Sequence, residues 1–416
     1  MIDPRFPPQP ETNSNTIFLY PLQKELNIIS SLESLTSNEK LKNKIINEIN
    51  LLNNIKIERD SIIFLNTASA CLFEYLKWRN IKSGIPLKVA LPAYSCPEVC
   101  CAIIKSGAEP IFLDFDLKYS YSKRSIKFAK DRGTNIILWP NFFGYRKRNK
   151  KILNYIDELN IDIILDEAQS FPSGIITVNY KTLISLGITK RLSGIGGGAL
   201  LLPNKKEAES FSNFIKKSKK KSFQNQLFIT TIKFLKRILY LGTCSSKKNF
   251  EKELPVLLEK KITAYLKKDF PSTSIRNIEL AIANRRLLQL KKYHNEIINL
   301  YEKLSIFCAK NFGESSMDII SDVLEYPTIF AVKLDPKKRY IVSEWLSKIK
   351  IQTTWYYYPL NRVKVFSDYQ SEKTPNSDKL ASEILILPFN LRHCLKNNSQ
   401  YLKILSKRVY GDNDNI

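Results

Sequence analysis

The sequence predicts an α/β protein: a large domain on a mostly parallel sheet, followed by a smaller C-terminal α+β domain. Two observations point to it. Short β-branched runs alternate with helix-length segments from about Ser61 to Leu202, and from about Glu251 the pattern changes to long helices followed by strand-like pieces. At 416 residues the chain exceeds what one core usually holds, about 250 to 300 residues, so two domains are expected.

The strand candidates are IIFL (62 to 65), KVALP (88 to 92), PIFLDF (110 to 115), NIILW (135 to 139), DIILD (162 to 166), LISL (183 to 186) and ALLL (199 to 202). Their apolar residues run continuously rather than alternating. A strand reads that way when helices cover both faces of its sheet, and this arrangement goes with parallel pairing. Helix-length segments such as Ala68 to Asn80 and Pro97 to Ser106 supply the crossovers. In such sheets ligands gather at the carboxyl ends of the strands.

Residues 1–15 read as a polar, proline-rich tail without the apolar core of a signal peptide. Residues 16–250 are read as the large domain and 251–416 as the small one. Within the first, 216–250 is a basic insertion: KKSKKK, then Phe228, Ile232, Leu235, Ile238 and Leu239 at helical spacing among Lys233, Lys236 and Arg237. Such a helix, over 216–241, can lie on an anionic membrane surface as a peripheral contact, or pack on its own protein. It is too short and too charged to span a bilayer. Beyond 251 the pattern gives long helices over Asn277 to Phe307, then strand-like TIFAVKL (328 to 334), IQTTWYYYPL (351 to 360) and EILILPF (383 to 389).

The formal charge of +25 attracts phosphate-bearing partners at long range, and a solvated lysine coat accounts for it equally well. Neither a paired Cys/His finger nor an aromatic RNA-binding strand is present, so no nucleic-acid partner is expected. Seven cysteines without zinc-ribbon spacing fit a reducing cytosol, and no metal site is expected. With only His294 and His393, a Ser-His-Asp triad has little material to be built from.

Three segments carry chemistry. Asp166 closes an apolar strand, where a carboxylate loses its water and calls for a cationic or hydrogen-bonding partner. A protonated pyridine nitrogen is such a partner, although a strand-terminal Asp can also cap a helix or bind a metal. Lys190 lies between an apolar run and a glycine-rich turn, where shelter would let it lose its proton and act as an amine nucleophile. Gly194, Gly196, Gly197 and Gly198 follow it, four of the chain's 13 glycines within five residues, as a tight turn or close backbone approach demands. In FLNTASACLFEYL a strand ends at Asn66 and Thr67, Ala68, Ser69 and Ala70 open a helix, whose free N–H groups offer an anion site. Thr67 can equally be an ordinary N-cap.

Together these segments resemble the DegT-type family of PLP-dependent nucleotide-sugar aminotransferases, which have the fold-type I architecture. Its small-residue phosphate turn looks like Asn66-Thr67-Ala68-Ser69. Its P-x-x-T and G-A-x-P-x-x-x-D elements look like Pro92-Ala93-Tyr94-Ser95-Cys96 and Gly107-Ala108-Glu109-Pro110 with Asp114. Asp166, Ala168 and Gln169 match its D-x-A-Q element, and Ser185, Lys190, Gly197 and Gly198 its lysine element. The order and spacing of four elements agree, which is more specific than any one alone.

The resemblance implies pyridoxal 5'-phosphate (PLP) as cofactor, with Lys190 as the Schiff-base lysine and Asp166 on the ring nitrogen. Gln169 would meet the ring's phenolic oxygen, Thr67, Ala68 and Ser185 the phosphate, and Cys96 the face of the ring. Tyr94, Asn141 and Arg276 would contact substrate. The reaction implied is amino transfer from an amino acid to a keto-sugar in sugar biosynthesis, by a cytoplasmic homodimer. The chain departs from the family at Cys96, where an aromatic normally stacks, at Ser274 in place of an interface Asn, at Asn141 in place of a His, and at Gly196 in place of an acid. The substitutions at Cys96, Asn141 and Ser274 motivate an alternative: a catalytically altered or inactive PLP fold serving as a binding or membrane-associated scaffold.

Overall fold

The structure, a computed structural model, describes residues 7–8, 33–144, 148–172, 179–187, 190, 196–218, 254–267, 272–317 and 329–389. Most of the proposed tail, Gly194, and all of the basic amphipathic stretch beyond residue 218 lie outside them.

An N-terminal helix α1 (Asn38–Asn53), capped by the Ser37 side chain, precedes strand β1 (Ile62–Leu65). Then follow α2 (Ala68–Ser83), β2 (Lys88–Pro92), α3 (Pro97–Lys105), β3 (Glu109–Leu113), α4 (Lys123–Asp131), β4 (Ile136–Pro140), α5 (Lys150–Glu158), β5 (Asp162–Asp166), β6 (Lys181–Ser185), β7 (Gly198–Leu201) and α6 (Lys205–Ser218). The seven strands form one sheet in the order β1-β7-β6-β5-β4-β2-β3. Every pairing from β3 across to β6 is parallel, whereas β7 is antiparallel to both β6 and β1.

Side chains alternate cleanly between two apolar layers. Phe64, Ile137, Trp139, Ile163, Leu165 and Leu201 face one, and Leu65, Val89, Ile136, Leu138, Ile164 and Leu200 face the other. The continuous apolar runs of the sequence thus follow from double coverage. Each fully buried aliphatic side chain contributes about 1.5–3 kcal/mol to the layers. At the amino ends of the strands, away from the site described below, Arg79 pairs with Asp162 at 2.7 Å and Lys181 with Asp162 at 3.3 Å, both half-exposed surface ties.

The later part begins with α7 (Leu254–Lys267), which lies on α3: Lys105 Nζ donates to the Leu266 carbonyl at 2.8 Å. Next come α8 (Asn277–Lys292), α9 (His294–Phe312), β8 (Phe330–Lys333), α10 (Pro336–Lys348), α11 (Pro375–Glu383) and β9 (Ile384–Leu387). The long helices expected over 277 to 307 are two, divided at Tyr293, whose φ of −111° and ψ of 29° leave the helical region, and the second runs on to Phe312. β8 and β9 pair antiparallel.

IQTTWYYYPL, expected to be strand-like, is irregular apart from isolated contacts such as Thr354 with Ile386. Its backbone groups go elsewhere: the Tyr94 hydroxyl donates to the Tyr356 carbonyl, and Leu360 N–H donates to Ala93 O at 2.8 Å. The chain then runs along β3, with Phe112 N–H on Gln370 O and Glu372 N–H on Phe112 O, at 2.8 and 3.0 Å. Asp114 anchors it. Its carboxylate accepts the Asn376 and Ser377 N–H groups and the Ser377 hydroxyl, capping α11 from across the molecule.

Candidate active site

The carboxyl ends of β2, β4, β5 and β6 and the N-terminus of α2 converge on a cavity of about 350 Å³, within the usual range for small-molecule sites. Its walls bring together most of the residues singled out in the sequence: Thr67, Ala68, Cys96, Asn141, Asp166, Gln169, Ser185 and Lys190.

Thr67 is extended and its hydroxyl accepts the Ala70 N–H at 3.0 Å, so it is an N-cap. The cap leaves the first turn of α2 directed at the cavity, with the positive end of the helix dipole behind it. Glycines make this turn accessible. A Cβ on Gly198 would stand closer than 3.0 Å to the Ala68 nitrogen, the Thr67 carbonyl carbon and the Ala68 Cα. Gly197, at φ +102°, donates its N–H to Asn66 O at 2.8 Å. Only bare backbone lets β7 pass this close to the helix start. At Gly196 a Cβ would run into the Glu279 carboxylate.

Asp166 closes β5 and is buried; its Oδ1 accepts the Ala168 N–H at 2.9 Å. Burial pushes its carboxyl above the ordinary range, opposed by that hydrogen bond and by the charge of Lys190. The two groups are therefore within electrostatic reach in one cavity. Lys190 is placed by a turn, its N–H on Gly187 O at 3.1 Å. Ser185 Oγ accepts Gly187 N–H at 3.4 Å. Burial pushes the Cys96 thiol up to about 11, so it stays neutral and presents a soft apolar wall.

Gln169 Oε1 accepts the Phe143 N–H at 3.0 Å, and Nε2 donates to the Tyr357 hydroxyl. Beside it, Asn141 Nδ2 donates to Glu167 Oε2 at 3.1 Å. Glu167 is fully buried and paired with Arg148, and also accepts the Ser170 hydroxyl. Asn141 therefore lines the cavity as a braced residue.

Two of the substrate contacts expected from the resemblance lie elsewhere. Tyr94 is fully buried, wedged edge-on between Phe142 and Tyr357 with its hydroxyl on the Tyr356 carbonyl, and does not line the cavity. Phe142 and Tyr357, packed against it, line the cavity in its place. Arg276 also stands outside the lining; it precedes α8 and is ion-paired with Glu279. Conversely, Tyr356 and Tyr357 form part of the wall, as do Phe142 and Glu98. The first two stack at 4.8 Å and 7°. The run of three tyrosines was the available signal, hidden by its strand-like composition.

These walls fit PLP by their donor set: an acid for the ring nitrogen, an amine for the aldehyde carbon, a helix start for the phosphate and an amide for the phenolic oxygen. Among the described residues no cluster of His, Cys, Asp and Glu could hold a metal, and no helix is long and apolar enough to cross a membrane.

Residues 267–400 match the family model described as the DegT/DnrJ/EryC1/StrS aminotransferase family. No curated protein matches the chain. Among solved structures, the aminotransferase TlmJ from Streptoalloteichus hindustanus is similar at 15% identity and a TM-score of 0.68, covering 95% of this chain and 99% of its own. NtdA from Bacillus subtilis, solved with bound cofactor PMP, gives 15% identity and 0.64 over 96% and 86%. Helicobacter pylori PseC, an aminotransferase involved in the biosynthesis of pseudoaminic acid, gives 12% and 0.65 over 97% and 98%. Over 267–400 the chain is thus similar to the DegT/DnrJ/EryC1/StrS aminotransferase family, and its fold as a whole is that of the solved aminotransferases, the fold-type I architecture.

Proposed function

We propose that the protein moves an amino group from an amino acid donor to a keto-sugar, and that the acceptor is nucleotide-linked. The observation that carries this reading is the presence of Asp166 and Lys190 in one cavity at the start of α2. Bound there, PLP supplies an electron sink and carries the amino group between the two substrates.

The chain's own residues do the rest. Asp166 holds positive charge at the ring nitrogen, which its burial makes favourable, since an unpaired carboxylate there is costly. The first turn of α2 with Ser185 would hold the phosphate, and Gln169 would meet the phenolic oxygen. Lys190 Nζ would hold the cofactor and is the amine placed to take the proton from the donor's α-carbon. The basic surface draws a phosphate-bearing acceptor towards the site. A cytoplasmic homodimer belongs to the same proposal.

Purified protein supplied with PLP should gain visible absorbance, Lys190→Ala should abolish the covalent part of it, and one or more amino donors should discharge it in a half-reaction screen. Absorbance that no donor changes would favour the scaffold reading. Contact of 216–241 with membranes belongs to that alternative, and co-sedimentation with anionic vesicles would show it.

A further inference from the structure

Gln169 is held from both ends. A backbone N–H can only donate, so the Phe143 N–H at 3.0 Å fixes which end of the carboxamide is oxygen. Phe143 itself sits at φ 57° in the tight turn after β4, and its N–H reaches the segment that follows β5. The other end, Nε2, donates to the Tyr357 hydroxyl. Without this second tie the terminal amide torsion would be soft.

Tyr357 comes from a segment 188 residues further along the chain, and its ring is fixed independently of Gln169. It stacks on Tyr356, meets Tyr94 at 5.6 Å and 65°, and meets Phe142 at 6.1 Å and 53°. Burial raises its hydroxyl far above the ordinary range, with the nearby Cys96 and Asp166 adding to the effect. The phenol therefore keeps its proton, and because its oxygen accepts from Gln169 that proton points elsewhere.

We propose that Tyr357 is a positioning residue: by accepting a hydrogen of Gln169 Nε2 it sets the plane of that carboxamide, and through it the ionisation of the phenolic oxygen of bound PLP. The inference rests on the cofactor reading given above. It extends that reading to the later segment of the chain, which acts on the cofactor's electronic state through one amide. A planar amide pinned at both ends has its remaining N–H direction fixed as well, and a pre-aimed donor favours the ionised form of the oxygen it meets.

The test is a pH titration of the visible absorbance of PLP-loaded wild type, Tyr357→Phe, Gln169→Met and the double variant. Methionine keeps the length of Gln169 without its donor. Tyr357→Phe should raise the pH of the transition by about half to one unit, a three- to tenfold change in the ionisation constant, the size of one neutral hydrogen bond. Gln169→Met should raise it at least as far, and adding Tyr357→Phe to it should produce no further shift. A Tyr357→Phe titration that coincides with wild type would overturn the proposal, as would a full additional shift on the Gln169→Met background. Wild type that acquires no absorbance with PLP would overturn the cofactor reading itself, and with it this inference, a result distinct from either of those.

Discussion

Gly198→Ala tests the geometry of the anion cradle. The added methyl would stand inside 3.0 Å of three backbone atoms of Thr67 and Ala68. None of them is the end of a flexible side chain, and both flanks are tied: β7 pairs with β1 and β6, and α2 is capped by Thr67. Overpacking of this kind costs about 1–3 kcal/mol, and rigid neighbours put the expectation at the upper end, about 3 kcal/mol. At an m-value of about 3 kcal/mol per M the urea midpoint falls by about 1 M. The matched control is Gly84→Ala, at φ +72° with nothing within 4 Å of the new methyl, where only the left-handed backbone is strained, at about 1 kcal/mol. Because the displaced atoms are the start of α2, PLP affinity should fall as well, by about tenfold or more. Equal midpoint losses in the two variants, or unchanged PLP affinity in Gly198→Ala, would refute the argument that β7 is threaded against the cradle.

Asp166→Asn should raise the stability of the cofactor-free protein at neutral pH while weakening PLP binding. The folded carboxyl is raised above its unfolded value, so its favourable contribution is complete below the unfolded range and is lost as pH rises through the folded pKa; urea midpoints of the two proteins should therefore diverge upward with pH. Glu167→Ala leaves the Arg148 guanidinium buried without its carboxylate and should cost about 3–5 kcal/mol, read from the same denaturation curves. Asp114→Ala removes the cap of α11 and should cost about 1–2 kcal/mol by thermal unfolding. A loss within experimental error there would mean that the crossing tie is dispensable.

The sheet was legible because its strands are buried on both faces. IIFL, KVALP and DIILD coincide with β1, β2 and β5, and the other runs differ by one or two residues at the ends. Lys190 and Asp166 were legible because a lone acid at a strand end and a lysine before glycines are chemically odd. What stayed hidden depends on contacts between distant segments. Asp114 stood out within a motif, yet its work as a cap for a helix at 375–383 needs the fold to be known. Tyr94 has the chemistry of a ligand contact, and only packing shows Phe142 and Tyr357 already against it. Nothing at Tyr293, neither glycine nor proline, announces the break between α8 and α9.

The strip from Leu360 to Glu372 shields the outer rim of β3, the last strand on its side of the sheet. An unguarded rim of this kind recruits strands from other molecules. A fragment ending near residue 250 would thus lose more than a small domain: it would bare a sticky margin and forfeit the aromatic flank of its cavity. Expression of that half alone should yield aggregate, and a designer seeking a minimal version must keep the closing strip.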